Sequence, residues 1–135
     1  MAIAVSATAV SAFAVDSGKI DVKIGESTST VSTFAEAIAA VRAADDSTAK
    51  VITLGEGTFK AADANTFRID EPNVTIEGQG SDKTVIDTES YAVSGQAGIL
   101  VSADNVTVKN LKVTSTNPGA SGGAIKVSKI GDGTT

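Results

Sequence analysis

Asn73-Val74-Thr75-Ile76 returns as Asn105-Val106-Thr107-Val108, 105 − 73 = 32 positions later. Asn suits a corner, and β-branched residues behind it suit a short strand leaving that corner. A second copy is therefore expected to lie parallel on the first, as one layer on another. Around both copies the texture is the same, with β-prone runs of three to six residues separated by Gly, Asn, Asp and Ser.

Three runs recur per turn. Phe67 to Ile69 aligns with Ile99 to Val101 and Ala124 to Val127, and Val74 to Ile76 aligns with Val106 to Val108. Val51 to Leu54 is aligned with Val85-Ile86 and Leu111 to Val113. This reading predicts three columns of parallel strands, with corners at Gly78, Gly80, Gly98 and Asn110, where positive φ or capping is tolerated. Hairpins fit less well, because parallel copies of one column need a full circuit of chain between them.

Upstream, Lys19 to Ile24 alternates strictly, placing Ile20, Val22 and Ile24 on one face of a half-buried strand that Gly25 ends. Glu26 to Thr30 reads as a Ser/Thr-rich loop. Thr33 with Glu36 three residues on is a capping box, and Phe34, Ile38 and Val41 then share one face of an amphipathic helix over Phe34 to Ala44.

The helix, the run Val51-Ile52-Thr53-Leu54-Gly55-Glu56-Gly57-Thr58-Phe59, and Asn73-Val74-Thr75-Ile76-Glu77-Gly78-Gln79-Gly80 together resemble the right-handed parallel β-helix superfamily, the pectate-lyase-like fold. Lys83-Thr84-Val85-Ile86-Asp87 and Ala103 to Leu111 carry the same resemblance, which spans Phe34 to Val127. It implies an all-β solenoid, a right-handed parallel β-helix with three strands per coil and an N-terminal amphipathic capping α-helix. It also implies a family of polysaccharide lyases, glycoside hydrolases, epimerases, tailspikes and surface proteins. Residues 15–135 are then expected to form the N-terminal part of one such domain, continued by further coils or domains beyond Thr135.

Composition narrows the chemistry. The 135 residues contain no Cys and no His, which excludes disulfides, thiolate nucleophiles, Cys/His zinc sites and imidazole-dependent triads. Net charge is −5 with 11 scattered basic residues, so no basic stripe awaits a nucleic-acid backbone. Aromatics are 4% and Trp is absent, so the interior must be built from Val, Ile, Ala and Thr. Residues 1–14 are uncharged and end on Ala12-Phe13-Ala14, an Ala-x-Ala pattern that reads as the remnant of a secretory signal peptide. A buried first strand is the other reading. A membrane span would need about 20 apolar residues.

No residue is assigned a catalytic, cofactor-binding or metal-binding role. Asn73 and Asn105 read as a stacked amide ladder, with their Asn-x-Thr sequons a lesser, glycosylation reading. Gly78-Gln79-Gly80 lacks the rest of a phosphate loop and reads as a turn. Asp87 and Glu89 are two carboxylates, too few to hold calcium without carbonyl partners, and Asp45-Asp46 reads as a helix terminus. Arg42 belongs to the helix, and Arg68 alternates outward between Phe67 and Ile69, where it reads as a solvated surface residue, with contact to an anionic sugar the lesser reading. The expected function is a non-catalytic segment of a secreted or cell-surface protein of bacterial or archaeal type, glycan-binding or adhesin-like. The alternative is the front end of a polysaccharide lyase or hydrolase whose active site lies on later coils.

Overall fold

The computed structural model describes residues 15–63, 65–89, 98–115 and 124–127. The signal-peptide reading of residues 1–14 lies outside them. Strict alternation makes β1 (Ile20–Ile24), with Ile20 and Val22 fully buried. At Gly25, whose φ is 58°, the chain reverses and Ser27–Val31 returns as β2, antiparallel to β1. The Ser/Thr stretch expected as a loop is thus a strand, made by pairing rather than by apolar alternation.

Helix α1 (Phe34–Arg42) follows, and both halves of its capping box form: Glu36 N–H donates to Thr33 Oγ1 at 3.2 Å, and Thr33 N–H donates to Glu36 Oε2 at 3.0 Å. Its buried face is Phe34, Ala37, Ile38 and Val41, and the Phe34 ring meets Phe67 edge-on with centroids 4.9 Å apart. That edge-to-face contact joins the helix to the strands.

Beyond α1 come β3 (Lys50–Leu54), β4 (Gly57–Lys60), β5 (Arg68–Ile69), β6 (Val74–Glu77), β7 (Thr84–Asp87), β8 (Ile99–Val101), β9 (Thr107–Lys109), β10 (Lys112–Thr114) and β11 (Ile125–Val127). They fall into three sheets ordered β2-β1-β3-β6-β9, β10-β7-β4 and β11-β8-β5. From β3 onward every pairing is parallel, and the chain visits the three sheets in rotation. The 32-residue repeat holds in register, Thr75 opposite Thr107 and Ile76 opposite Val108.

Two expectations are corrected. The class predicted, an all-β solenoid as a right-handed parallel β-helix, is not what the described residues form: there are three separate short sheets, none closed, and one helix. The largest sheet is mixed, because the β1–β2 hairpin adds two antiparallel strands to it. Second, Val51 to Leu54 does not stack with Val85-Ile86. β3 pairs with β6, placing Ile52 opposite Ile76, and it is β4 that lies beside β7, with Phe59 opposite Ile86. Only Gly55 and Glu56 separate β3 from β4, so two strands of different sheets read in the sequence as one run. The columns of Phe67 to Ile69 and of Val74 to Ile76 fall as expected.

Inward side chains of the three sheets share one core with the helix: Ile52, Leu54, Val74, Ile76, Ile86 and Ile99 are each 1% exposed or less. Gly78 lets the strand end turn closely, since a Cβ there would lie 2.5 Å from the Asn110 carbonyl oxygen and 2.6 Å from Thr84 Cβ. Because Ile76 is fully buried between Ile52 and Val108 in register, Ile76→Ala is expected to cost about 2–5 kcal/mol in chemical denaturation. Val108→Ala, at a half-buried edge position, should cost distinctly less in the same measurement.

Candidate functional site

Among the described residues, two places have the clearest claim as a site. The first is the corner after β5. Arg42, at the C-terminal end of α1, grips Asp70 with two parallel bonds, Nε to Oδ1 at 3.0 Å and Nη2 to Oδ2 at 2.9 Å, the fork geometry that makes guanidinium–carboxylate pairs strong. Arg68 faces the same carboxylate, its Nε 3.9 Å from Asp70 Oδ2, and that buried nitrogen has no hydrogen-bond partner. Arg68, expected as an outward, solvated residue with an anionic sugar as the lesser reading, is therefore half-buried beside Asp70.

Lys50, at the start of β3, is 1% exposed. Its stem follows the inward row, opposite Val74 and Ile24, while its Nζ donates to the carbonyls of Pro72 at 3.0 Å and Asp46 at 3.4 Å. An ammonium taken from water needs such acceptors, because an unpaired buried charge is far more costly. The Asp46 carbonyl also accepts from Asn73 Nδ2 at 2.8 Å, and Asn105 Nδ2 donates to Asn73 Oδ1 at 2.6 Å. The amide ladder read from the repeat thus runs Asp46–Asn73–Asn105, with both Asn residues at positive φ, 59° and 56°. Glu71 completes the corner. Partial burial pushes its carboxyl above the ordinary glutamate value, the neighbouring Asp46 carboxyl and Asp70 push it further, and Lys50 opposes them.

The second place is a cleft of about 240 Å³ between the start of α1 and β4, lined by Gly18, Ser32, Thr33, Phe34, Thr58, Phe59 and Lys60. Phe34 and Phe59 are buried and form its floor, while Ser32, Thr33 and Thr58 are exposed at its rim. Lys60 pairs with Glu89 at 2.6 Å, and Lys19 Nζ donates to Ser32 Oγ at 2.9 Å. Glu36 occupies the helix N-terminus with its carboxylate, which accepts from the Ser32 and Thr33 amides and is held below the usual range by those bonds. That charge disfavours an anion and leaves the cleft suited to a neutral, hydroxyl-bearing group.

The remaining sequence candidates are structural. Gly78-Gln79-Gly80 forms a turn in which Thr84 Oγ1 accepts from Gln79 N–H and donates to the Gly55 carbonyl, both at 2.9 Å. Asp87 Oδ1 accepts from Glu89 N–H at 2.9 Å, and Glu89 turns to Lys60. Asp45 Oδ1 accepts from Ser47 N–H at 2.9 Å just past the helix. Among the described residues no group of three or more acidic side chains could hold a metal ion, and no helix is long and apolar enough to cross a membrane.

Sequence reasoning missed the corner: Asp70 and Glu71 carry no motif. Lys50, however, continues the alternation of Leu54 and Ile52 backwards, a period-2 signal for its inward stem. No protein-family model, curated protein sequence or solved structure matches the chain.

Two outcomes are expected. Asn105→Ala should lose about 0.5–1.5 kcal/mol from the amide bond, and about 1–2 kcal/mol more because Ala resists positive φ. Asn105→Gly should recover the second part, the difference being read from paired thermal melts. Glu71 has a raised folded-state value, so its contribution favours the folded protein below the ordinary glutamate value and is lost as pH rises through the raised one. Glu71→Gln should therefore stabilise the protein at neutral pH and flatten that loss in a pH series of melts.

Proposed function

We propose that this chain is a non-catalytic module of a secreted or cell-surface protein that holds a neutral saccharide unit in the cleft between α1 and β4. The observation that carries this reading is the arrangement of that cleft. Hydroxyls of Ser32, Thr33 and Thr58 stand around a floor set by two phenylalanines, and the cation at its edge is already paired with Glu89. Pockets for drug-sized ligands measure about 300–1,000 Å³, so a cleft of about 240 Å³ suits one small ring or the end of a chain rather than a long oligomer. Hydroxyls both donate and accept, and can therefore follow the hydroxyl pattern of a sugar.

The strand surfaces around the cleft support the same reading. Ser27, Thr28, Ser29 and Thr30 are all exposed on β2, which leads into Ser32 and Thr33, and Thr58 is exposed on β4. A surface dominated by short hydroxyl side chains offers many weak, interchangeable contacts to a polysaccharide and little to a nucleic acid.

The test is a titration of the isotope-labelled protein with neutral mono- and oligosaccharides, read by amide chemical shifts. Amides of Gly18, Ser32 to Phe34 and Thr58 to Lys60 are expected to move together and saturably, and Thr58→Arg, which fills the cleft from an exposed position, should abolish the movement. Shifts confined to other surfaces, or none with any sugar tried, would refute the saccharide assignment.

A further inference from the structure

Among the described residues the three sheets end in six edge strands: β2 and β9, β10 and β4, β11 and β5. Five carry a basic side chain, namely Lys109 on β9, Lys112 on β10, Lys60 on β4, Lys126 on β11 and Arg68 on β5. β2 has none. Its sequence, Ser27-Thr28-Ser29-Thr30-Val31, contains no charge and no Pro. A charge, above all Lys, is the ordinary way an edge is kept from pairing with another chain, because a second strand would have to cover it. Among the described residues β2, at five residues, equals the longest strands, four of its five residues are exposed, and β1 is its one neighbour in the sheet.

We infer that β2 is a self-association edge, on which a second copy of this chain adds its own β2 antiparallel about a two-fold axis through Ser29. The sequence is complementary to itself in that register. Ser29 faces Ser29 of the partner subunit, Thr28 faces Thr30 of the partner subunit, and Ser27 faces Val31 of the partner subunit. Thr–Thr is a favourable cross-strand pair, and no like charges meet within the strand.

The next strand in agrees with this register. Asp21 lies beside Thr30, which accounts for the 2.5 Å bond from Thr30 Oγ1 to Asp21 Oδ1, and Lys23 lies beside Thr28. The antiparallel register therefore lines up Asp21, Thr30, Thr28 of the partner subunit and Lys23 of the partner subunit in one row. Opposite charges bracket the junction on both sides. Helix α1 packs with β1 and β2 through its buried face, whose residues belong to the core, so that packing uses the sheet face and not the outer edge. Pairing two five-residue edges buries less than the roughly 1,600 Å² of a standard permanent interface, so the association is reversible and depends on concentration.

The full chain lacks cysteine, which makes a clean crosslinking test possible. Sedimentation of the wild type over rising concentration is expected to show a monomer–dimer equilibrium. Ser29→Lys, at an exposed position, should keep the same melting temperature while weakening association by roughly tenfold or more, since it sets two ammonium groups face to face. Ser29→Cys under mild oxidation should give a disulfide dimer, whereas Lys112→Cys on β10, an exposed edge of another sheet, should not. A wild type that stays monomeric at every concentration, association unchanged by Ser29→Lys, or crosslinking no faster at position 29 than at position 112 would each overturn the assignment.

Discussion

Ile76 sits between Ile52 and Val108 on three parallel strands in register, and the rest of the molecule depends on that stack. Once these side chains share an inward row, the remaining residues of β3, β6 and β9 take their faces from the two-residue period of a strand. Lys50, Val74, Ile52 and Leu54 turn toward the shared core, and Thr53, Glu77 and Lys109 form the row on the other face, where Thr53 and Glu77 are also buried and Lys109 Nζ meets Glu77 Oε2 at 2.8 Å. A slip of one residue would bury Thr75 and expose Ile76, so burial itself enforces the register.

The same stack creates the polar corner. Successive strands of one sheet leave their turns at the same height, so Asn73 and Asn105 are superimposed and their amides bond directly. Their carbonyl anchor is Asp46, in the segment that joins the helix to β3, and Lys50 binds that same carbonyl from within. Arg42 and Asp70 clamp the end of the helix to the corner beside them. The helix is thus held by apolar packing on its buried face and by a charged pair at its last turn, two contributions that weaken under different conditions. Salt screens the pair, while the ring contact of Phe34 with Phe67 carries no charge to be screened.

Local signals were readable where the responsible residues lie close in sequence. Thr33 and Glu36 announce the helix start because a capping box closes within four residues. The two Asn-Val-Thr copies announce parallel layers because identity at a fixed interval implies equivalent positions. The strand β2 was not readable: Ser27 to Thr30 show no apolar alternation, and their extended form follows from pairing with β1 across the Gly25 turn. Nor was the division of Val51 to Phe59 into β3 and β4, since nothing between Leu54 and Gly57 states that the chain changes sheet. Of the polar corner, the ladder was legible because its two Asn residues recur within a repeat, and the clamp was not, because no repeat or motif ties Arg42 to Asp70.

By itself the sequence determined the repeat, the capped amphipathic helix, the inward rows of Ile and Val, and the exclusion of thiol and imidazole chemistry, since each rests on residue identity or short-range periodicity. Only the tertiary structure decided which strand lies beside which, that one sheet is mixed, and that the strands form three separate sheets rather than the single class of solenoid expected. It also decided that Arg42 reaches Asp70, that the buried Lys50 finds its acceptors at Asp46 and Pro72, and that β2 is, among the described residues, the end strand of its sheet. The physical reason is common to all of these. Strand pairing and ion pairing are chosen by competition among partners distant in the chain, and that competition is resolved only when the core closes and fixes which groups are within reach.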